Sequence, residues 1–383
     1  MDPIPGWAER LWDVWDIRIL VLLSFVLQII LTSLGSRRKY IARIWVRIIV
    51  WSAYLMADSV ATFALGNLSQ VSNSVYKQNG NTSNSGNTAL MALWAPLLLL
   101  HLGGPDTITA YSVEDNQLWI RHLLGLAVQA VVAIYVILRR WTDSFLFYLT
   151  FPLFLAGIIK YGERAWALRS SMRKPLYMND LKKEVEYHST TNIPGVKLLL
   201  KAFYLFDDFK PQIVNRHFPC LSSSRSKEPF SLPKDGCSSG DVFKISEIEL
   251  GFMFDVLYTK STIIYTRVGC IFRIISLVCI VYVLWGFSFA TKPAHVDVDI
   301  AITYVLLAGA VLLEIRAFML VICSDWAILW MIKHHEKWLV AQLLRVLAPH
   351  YLGKRRRWSN SMGQFNLLSY CLCDEPKKLG RSP

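Results

Sequence analysis

The sequence has little of what marks the common enzyme classes. It has no phosphate-binding glycine loop closed by Lys and Ser/Thr, no His-Glu-x-x-His and no Cys-x-x-Cys, which argues against nucleotide hydrolysis, zinc proteolysis and thioredoxin-like redox chemistry. Its 8 histidines are scattered, so the histidine boxes of membrane di-iron enzymes are missing. The one adjacent pair, His334-His335, sits among Lys333, Glu336 and Lys337 and reads as solvated. The 7 cysteines form no secreted disulfide pattern: Cys270, Cys279 and Cys323 lie in apolar runs, and Cys371 with Cys373 alone is not a zinc site. No catalytic residue, metal or cofactor is therefore expected. A cleavable signal is also lacking, because Asp2, Glu9, Asp13 and Asp16 outweigh Arg10 where a signal peptide would begin basic.

What is present is apolar sequence in long blocks. Of 383 residues, 54% are hydrophobic and 18% charged, more apolar surface than one soluble core needs. The net charge of +13 is concentrated between Arg37 and Arg47, between residues 160 and 260, and in the tail, an arrangement that orients a membrane protein rather than binding nucleic acid. Crossing the hydrocarbon core takes ~20 apolar residues. Runs of that kind cover 17–34, 44–66, 118–138, 144–159, 263–290 and 300–322, with a shorter one at 89–103 broken by Pro96.

The expected fold is all-α: a polytopic transmembrane helical bundle of about seven spans with a helical cytosolic loop and a basic cytosolic tail. Residues 1–16 form an extracytoplasmic N-terminus and 17–159 hold the first five membrane helices. Residues 160–262 form the large loop, 263–332 the last two helices, and 333–383 the tail. Arg37, Arg38, Lys39 and Arg43 directly follow the first run and place that end in the cytosol, with the N-terminus outside or lumenal. Arg139 and Arg140 run against this orientation. The stretch 67–88, rich in Asn, Ser, Gly and Thr, reads as a loop carrying glycosylation sequons at Asn67 and Asn81.

The central stretch WAPLLLLHLGGPDTITAYSVEDN (Trp94 to Asn116) is followed by YGERAWALRSS (Tyr161 to Ser171) and DGCSSGDVFKISEIELGFMFDVLYTK (Asp235 to Lys260). Then come DVDIAITYVLLAGAVLLEI (Asp297 to Ile315) and WSNSMGQFNLLSYC (Trp358 to Cys371). In this order the motifs resemble plant domain-of-unknown-function family 4220 over nearly the whole chain. The resemblance implies a plant multi-pass membrane protein of the plasma membrane or endomembranes and carries no established activity. Members commonly bear a further C-terminal region, domain-of-unknown-function family 594, and this sequence ends at Pro383 without one.

Three constellations could carry function. On one face of the second run, Arg47, Trp51, Tyr54, Asp58 and Thr62 recur at helical spacing, and a carboxylate at the position of Asp58 costs roughly 2.5–3.5 kcal/mol to insert. Tyr54, Asp58 and Thr62 are candidate pathway residues, with a structural ion pair as the competing reading. The break Gly103-Gly104-Pro105-Asp106, with His101, Glu114 and Asp115 nearby, reads either as a polar vestibule or as a tight capped turn. Arg267 and Arg273 can meet Glu314 and Arg316 at similar depth and form a structural ion pair.

Residues 241–258 form an amphipathic helix with Val242, Ile245, Ile248, Phe252 and Val256 on one side. In the tail, Lys354, Arg355, Arg356 and Arg357 beside Trp358 are candidate contacts for anionic lipid headgroups. Taken together, the sequence favours a transporter or channel-like protein for ions or small solutes. A scaffold binding a cytosolic protein partner through residues 160–262 is the alternative, and an embedded lipid or isoprenoid enzyme comes third.

Overall fold

A computed structural model describes residues 6–78, 85–139, 145–172, 195–213, 239–290 and 297–333, together with residues 340, 342 and 357. Every regular element among them is helical. Helices α1 (Gly6–Leu34), α2 (Ile44–Gln78), α3 (Ser85–Leu102), the short α4 (Val113–Gln117) and α5 (Trp119–Arg139) build the first half. They are followed by α6 (Phe145–Tyr148), α7 (Thr150–Ser171), α8 (Val196–Ile213), α9 (Ser239–Tyr258) and α10 (Ser261–Ile264). The last three are α11 (Arg267–Phe289), α12 (Asp297–Ile322) and α13 (Asp325–Lys333).

Six stretches are long and apolar enough to cross a membrane: Trp15–Lys39, Ile44–Gln70, Trp119–Arg139, Phe145–Ser171, Arg267–Phe289 and Asp297–Ile322. These make a helical polytopic bundle, and their outward residues are the apolar ones a lipid-facing surface requires: Ile120, Leu124 and Val131 on α5, and Ile274, Val278 and Trp285 on α11, are all exposed.

The seventh apolar helix, α3, is different because its sequence is apolar on all sides. A helix of that kind has no face suited to water and belongs inside protein. Accordingly Leu90, Leu93, Trp94, Leu97, Leu98 and Leu99 are all buried within the main core. At 18 residues it is ~27 Å long at 1.5 Å per residue, close to the thickness the outer helices cover.

Side-chain pairs fix which helix ends lie together. At one end Arg18 of α1 meets Asp299 of α12, and Asn67 of α2 donates to Asp16 of α1. At the other, the last turns of α1, α3, α7 and α12 gather with the first turns of α2, α5 and α11. There α8, α9 and α13 pack on the bundle through a core of their own, in which Phe203, Phe206, Phe252 and Trp326 pack ring against ring, with Phe252 and Trp326 centroids 4.9 Å apart. This is the loop end of the bundle.

Several boundaries differ from the sequence reading. Helix α2 does not stop at Gly66 but runs to Gln78, because Asn and Ser tolerate a helix once its first turns are anchored by packing. Asn67 is therefore helical and its amide is engaged 2.7 Å from Asp16, while Asn81 lies outside the described residues. Helix α7 does not end near Ile159 but continues to Ser171, carrying Lys160, Glu163 and Arg164 into the bundle. Hydropathy falls at those charges, and only their partners on other helices make burial tolerable.

Candidate functional site

The site lies where α3 ends. Gly103 and Gly104 close the helix, with Gly104 N–H bonded to the His101 carbonyl at 2.9 Å and Gly104 in the left-handed conformation at φ 63°. Gly103 is required for a second reason: a Cβ there would stand 2.7 Å from the Lys160 backbone carbon, so α3 and α7 touch main chain to main chain. Pro105 and Asp106 then lead the chain across the loop end, where the Asp106 carbonyl accepts from Lys260 N–H at 3.2 Å.

Around this break six ionisable side chains are buried together: Asp106, Lys160, Glu163, Lys260, Arg273 and Glu314. Asp106 pairs with Arg273 of α11, and Lys160 of α7 pairs with Glu314 of α12. Lys260 Nζ lies 3.8 Å from Asp106 and 4.0 Å from Glu163, and donates to the carbonyls of Lys160 (3.2 Å) and Gly104 (3.3 Å). Three acids therefore face three bases, so the layer is neutral when all are charged. Burial, and after it the charge of Lys160, pushes the Lys260 ammonium down to about 7, while Glu163 and Glu314 oppose the shift.

Beside this layer Arg164 of α7 donates from Nη1 to Asp58 at 2.6 Å and to the Leu102 carbonyl at 3.0 Å. His101 packs between α1 and the break: its Nδ1 is 3.0 Å from Ser24 Oγ, and Gln28 donates to its carbonyl at 2.9 Å.

Two cavities adjoin the layer. One of about 40 Å³ is walled by Gln28, Thr32, His101, Asp106, Lys160 and Glu314. That is room for roughly three waters. The other, of about 100 Å³, is rich in hydroxyls from Ser36, Thr259, Ser261, Tyr265 and Ser324, with Lys39 and Asp255 paired at 3.1 Å beside them. Asp106, Thr107 and Ala317 line both.

Of the residues singled out in the sequence, the structure brings His101, Asp106, Arg273 and Glu314 to this layer and Asp58 to its edge. Of the residues expected to pair between α11 and α12, Arg273 and Glu314 do lie in one layer and attract each other, but each has a nearer partner. Glu314 turns to Lys160 and Arg273 to Asp106, while Arg316 is exposed and donates to Ser33 at 3.0 Å. Arg267 opens α11 outside the layer, and Thr62, Trp51 and Arg47 face outward from α2. Glu114 and Asp115 belong to the turn rather than to a vestibule. Asp115 accepts from Tyr111 N–H at 2.8 Å and Ser112 N–H at 3.0 Å as the reciprocal partner of N-cap Ser112 in the capping box that opens α4, and from the Tyr54 hydroxyl at 3.2 Å. Glu114 is exposed, and hydrogen bonds to its own N–H and to Ser112 hold its carboxyl below the usual range.

In the tail, Arg357 is buried rather than presented to lipid. Its guanidinium bonds Asp325 at 2.9 and 3.2 Å, and its N–H donates to Glu247 at 2.9 Å. Lys354, Arg355, Arg356 and Trp358 lie outside the described residues.

Sequence reasoning missed Lys160, Glu163, Arg164 and Lys260. The signal was there in Lys160-x-x-Glu163-Arg164, whose i, i+3 and i+4 spacing puts all three on one side of a helix.

The fold and this layer together define a polytopic helical membrane protein with a buried ionic layer at one end of its bundle. The family model described as Domain of unknown function (DUF4220) matches residues 51–371, and the chain belongs to that family. No curated protein and no solved structure matches the chain.

Proposed function

We propose that this protein is a transporter or channel-like protein for protons or small inorganic cations, with the ionic layer at the end of α3 as its gate. The observation that carries this reading is the layer itself. Six charges are buried around irregular backbone, bordered by two cavities that share Asp106. Four of the six, Lys160, Glu163, Arg273 and Glu314, lie on spanning helices, where charges are expensive, and bundles held together for stability alone are served as well by apolar packing. Irregular backbone at such depth is tolerated where it borders protein or water, as it does here.

The cavities also bear on what is moved. Sites for organic ligands run to ~300–1,000 Å³. The spaces here, about 40 and 100 Å³, fit waters and single ions, which counts against an embedded lipid enzyme among the described residues. The cluster Arg37, Arg38, Lys39 and Arg43 at the loop end supports a cytosolic loop end and an N-terminus on the opposite face, with the exposed Arg37 and Arg43 presented to anionic headgroups while Arg38 and Lys39 are engaged by Tyr111 and Asp255.

A scaffold role is the second reading, favoured by the separate aromatic core of α8, α9 and α13 outside the spans. Ion flux in liposomes containing purified protein separates the two. The proposal expects flux in the wild type and its loss in a well-folded Asp106→Asn variant. Absence of flux under proton, sodium and potassium gradients overturns it in favour of the scaffold.

A further inference from the structure

Arg316 is the one charged residue on a face otherwise suited to lipid. On α12 the exposed residues Val305, Ala308, Leu312, Arg316 and Met319 recur at spacings of 3, 4, 4 and 3, which is a single helical stripe. On α1 the exposed Ile19, Val26 and Ile29 make a stripe of the same kind, and Ser33 follows four residues on. The two stripes turn polar together at their loop ends, where Arg316 Nη1 donates to Ser33 Oγ at 3.0 Å and so bridges α12 to α1.

The depth of this bridge can be read along α12. Asp299, held by Arg18, marks the far end of the helix, and at 1.5 Å per residue Arg316 stands ~26 Å from it along the axis. With a hydrocarbon core ~30 Å thick, that places Arg316 at the boundary between acyl chains and headgroups on the loop-end side. Arg316 has no acid partner among the described residues. The other cations on the spanning helices that lie in or beside the ionic layer are matched: Lys160 by Glu314, Arg273 by Asp106 and Arg164 by Asp58. The Ser33 hydroxyl takes one of the five guanidinium N–H groups and supplies no charge, so Arg316 keeps both its donors and its positive charge for a partner outside the protein.

We propose that Arg316 and Ser33 form a binding site for the phosphate of one anionic membrane lipid of the loop-end leaflet, with its acyl chains lying along the apolar stripes of α12 and α1. A planar guanidinium matches two phosphate oxygens at once, and basic sites between membrane helices on the cytosolic side are suited to headgroups. The occupant is a lipid rather than dissolved phosphate because acyl chains already cover these stripes and hold their own phosphate at this depth, a high effective concentration that a free ion lacks. It is an anionic lipid because positive charge dominates the seam: Arg37 is exposed in the turn after α1, while Glu314, two residues before Arg316, is turned inward to Lys160. The site differs from the general attraction of Arg37 and Arg43 in holding one lipid in one place. It goes beyond the transport reading and does not depend on it, since the lipid binds on the outer side of the seam and not in either cavity.

The test is native mass spectrometry of the full chain in a neutral detergent, titrated with phosphatidylglycerol or with phosphatidylcholine of the same acyl chains. The expected result is a saturable first adduct that favours phosphatidylglycerol about tenfold and survives millimolar inorganic phosphate. Arg316→Gln should weaken that first adduct about tenfold and leave later adducts unchanged, as removal of charge-assisted bonds to one bound phosphate requires. Arg316→Lys should recover it only in part, because an ammonium cannot make the planar fork. Equal first-adduct affinity in wild type and in an Arg316→Gln protein that elutes and melts like it overturns the site. Equal affinity of the wild type for the two lipids overturns the anionic assignment, and displacement by inorganic phosphate overturns the lipid in favour of a free anion. Should Arg316→Gln fail to fold, Ser33→Ala takes its place: it frees the guanidinium from α1 and should weaken the first adduct severalfold, and an unchanged adduct overturns the site. None of these outcomes bears on ion flux, so the proposal and the transport reading stand or fall separately.

Discussion

A single guanidinium nitrogen of Arg164 reaches both Asp58 Oδ1, at 2.6 Å, and the carbonyl of Leu102, at 3.0 Å, so one side chain of α7 ties α2 to the last turn of α3. The Arg164 side chain is 4% exposed and that of Asp58 37%, which makes the two partners unequal. Asp58→Asn should lower the thermal midpoint of the detergent-solubilised protein, because the buried cation loses its counter-charge. Breaking a fully buried pair costs ~3–5 kcal/mol, and the partial exposure of Asp58 places this one toward or below the lower figure. An Asp58→Ala/Arg164→Ala cycle should show a coupling of ~0.5–3 kcal/mol. Additive single effects would mean that the two residues act apart.

Gly309 and Phe25 should respond to substitution together. A methyl group at Gly309 would enter the Phe25 ring, so Gly309→Ala overpacks the contact and should destabilise by ~1–3 kcal/mol. Adding Phe25→Leu should recover much of that loss, since a smaller side chain yields the space. Thermal denaturation of the two single variants and the pair reads this directly, and no recovery would count against the fit.

Lys260 gives a pH dependence whose sign can be worked out. Its folded value is pushed down to about 7, whereas an unfolded lysine titrates near 10.4. Between those values the unfolded chain binds more protons than the folded one, so stability rises with pH across the window; below about 7 both states are protonated and the penalty of the buried charge is felt in full. The thermal midpoint of the wild type should therefore climb between about pH 7 and pH 10 relative to that of Lys260→Met. Parallel curves for the two proteins would show that Lys260 is charged throughout.

Arg357 anchors the tail to α13 and α9 through Asp325 and Glu247. Arg357→Ala removes the bidentate guanidinium bonds to Asp325, a loss of ~1.5–3 kcal/mol for hydrogen bonds to a charged group. Limited proteolysis should then cut the variant C-terminal to α13 many times faster than the wild type. Equal cleavage rates would show that the contact does not hold the tail.

Much of this architecture is legible in the chain. The apolar runs foretell the spans because a hydrocarbon core imposes a length and forbids unpaired backbone. The face Ile245, Ile248, Phe252 and Val256 foretells the buried side of α9, since helical periodicity is a local property. The break after His101 is equally plain, for glycines and a proline cannot continue a helix.

Partner choice is another matter. Hydropathy ended α7 too early because a window average registers Lys160, Glu163 and Arg164 as solvent-seeking. It cannot know that Glu314, Lys260 and Asp58 wait on other helices. Likewise Asp106 and Arg273 are 167 residues apart in sequence, and no local pattern pairs them. That the chain folds as membrane helices, with a break after the short apolar run ending near Gly103, follows from local sequence, because burial and backbone geometry act within a few residues. Which charges neutralise one another, and that one ring nitrogen of His101 is buried without a hydrogen-bond partner, is settled by tertiary packing alone. Those outcomes depend on helices distant in sequence arriving at the same depth.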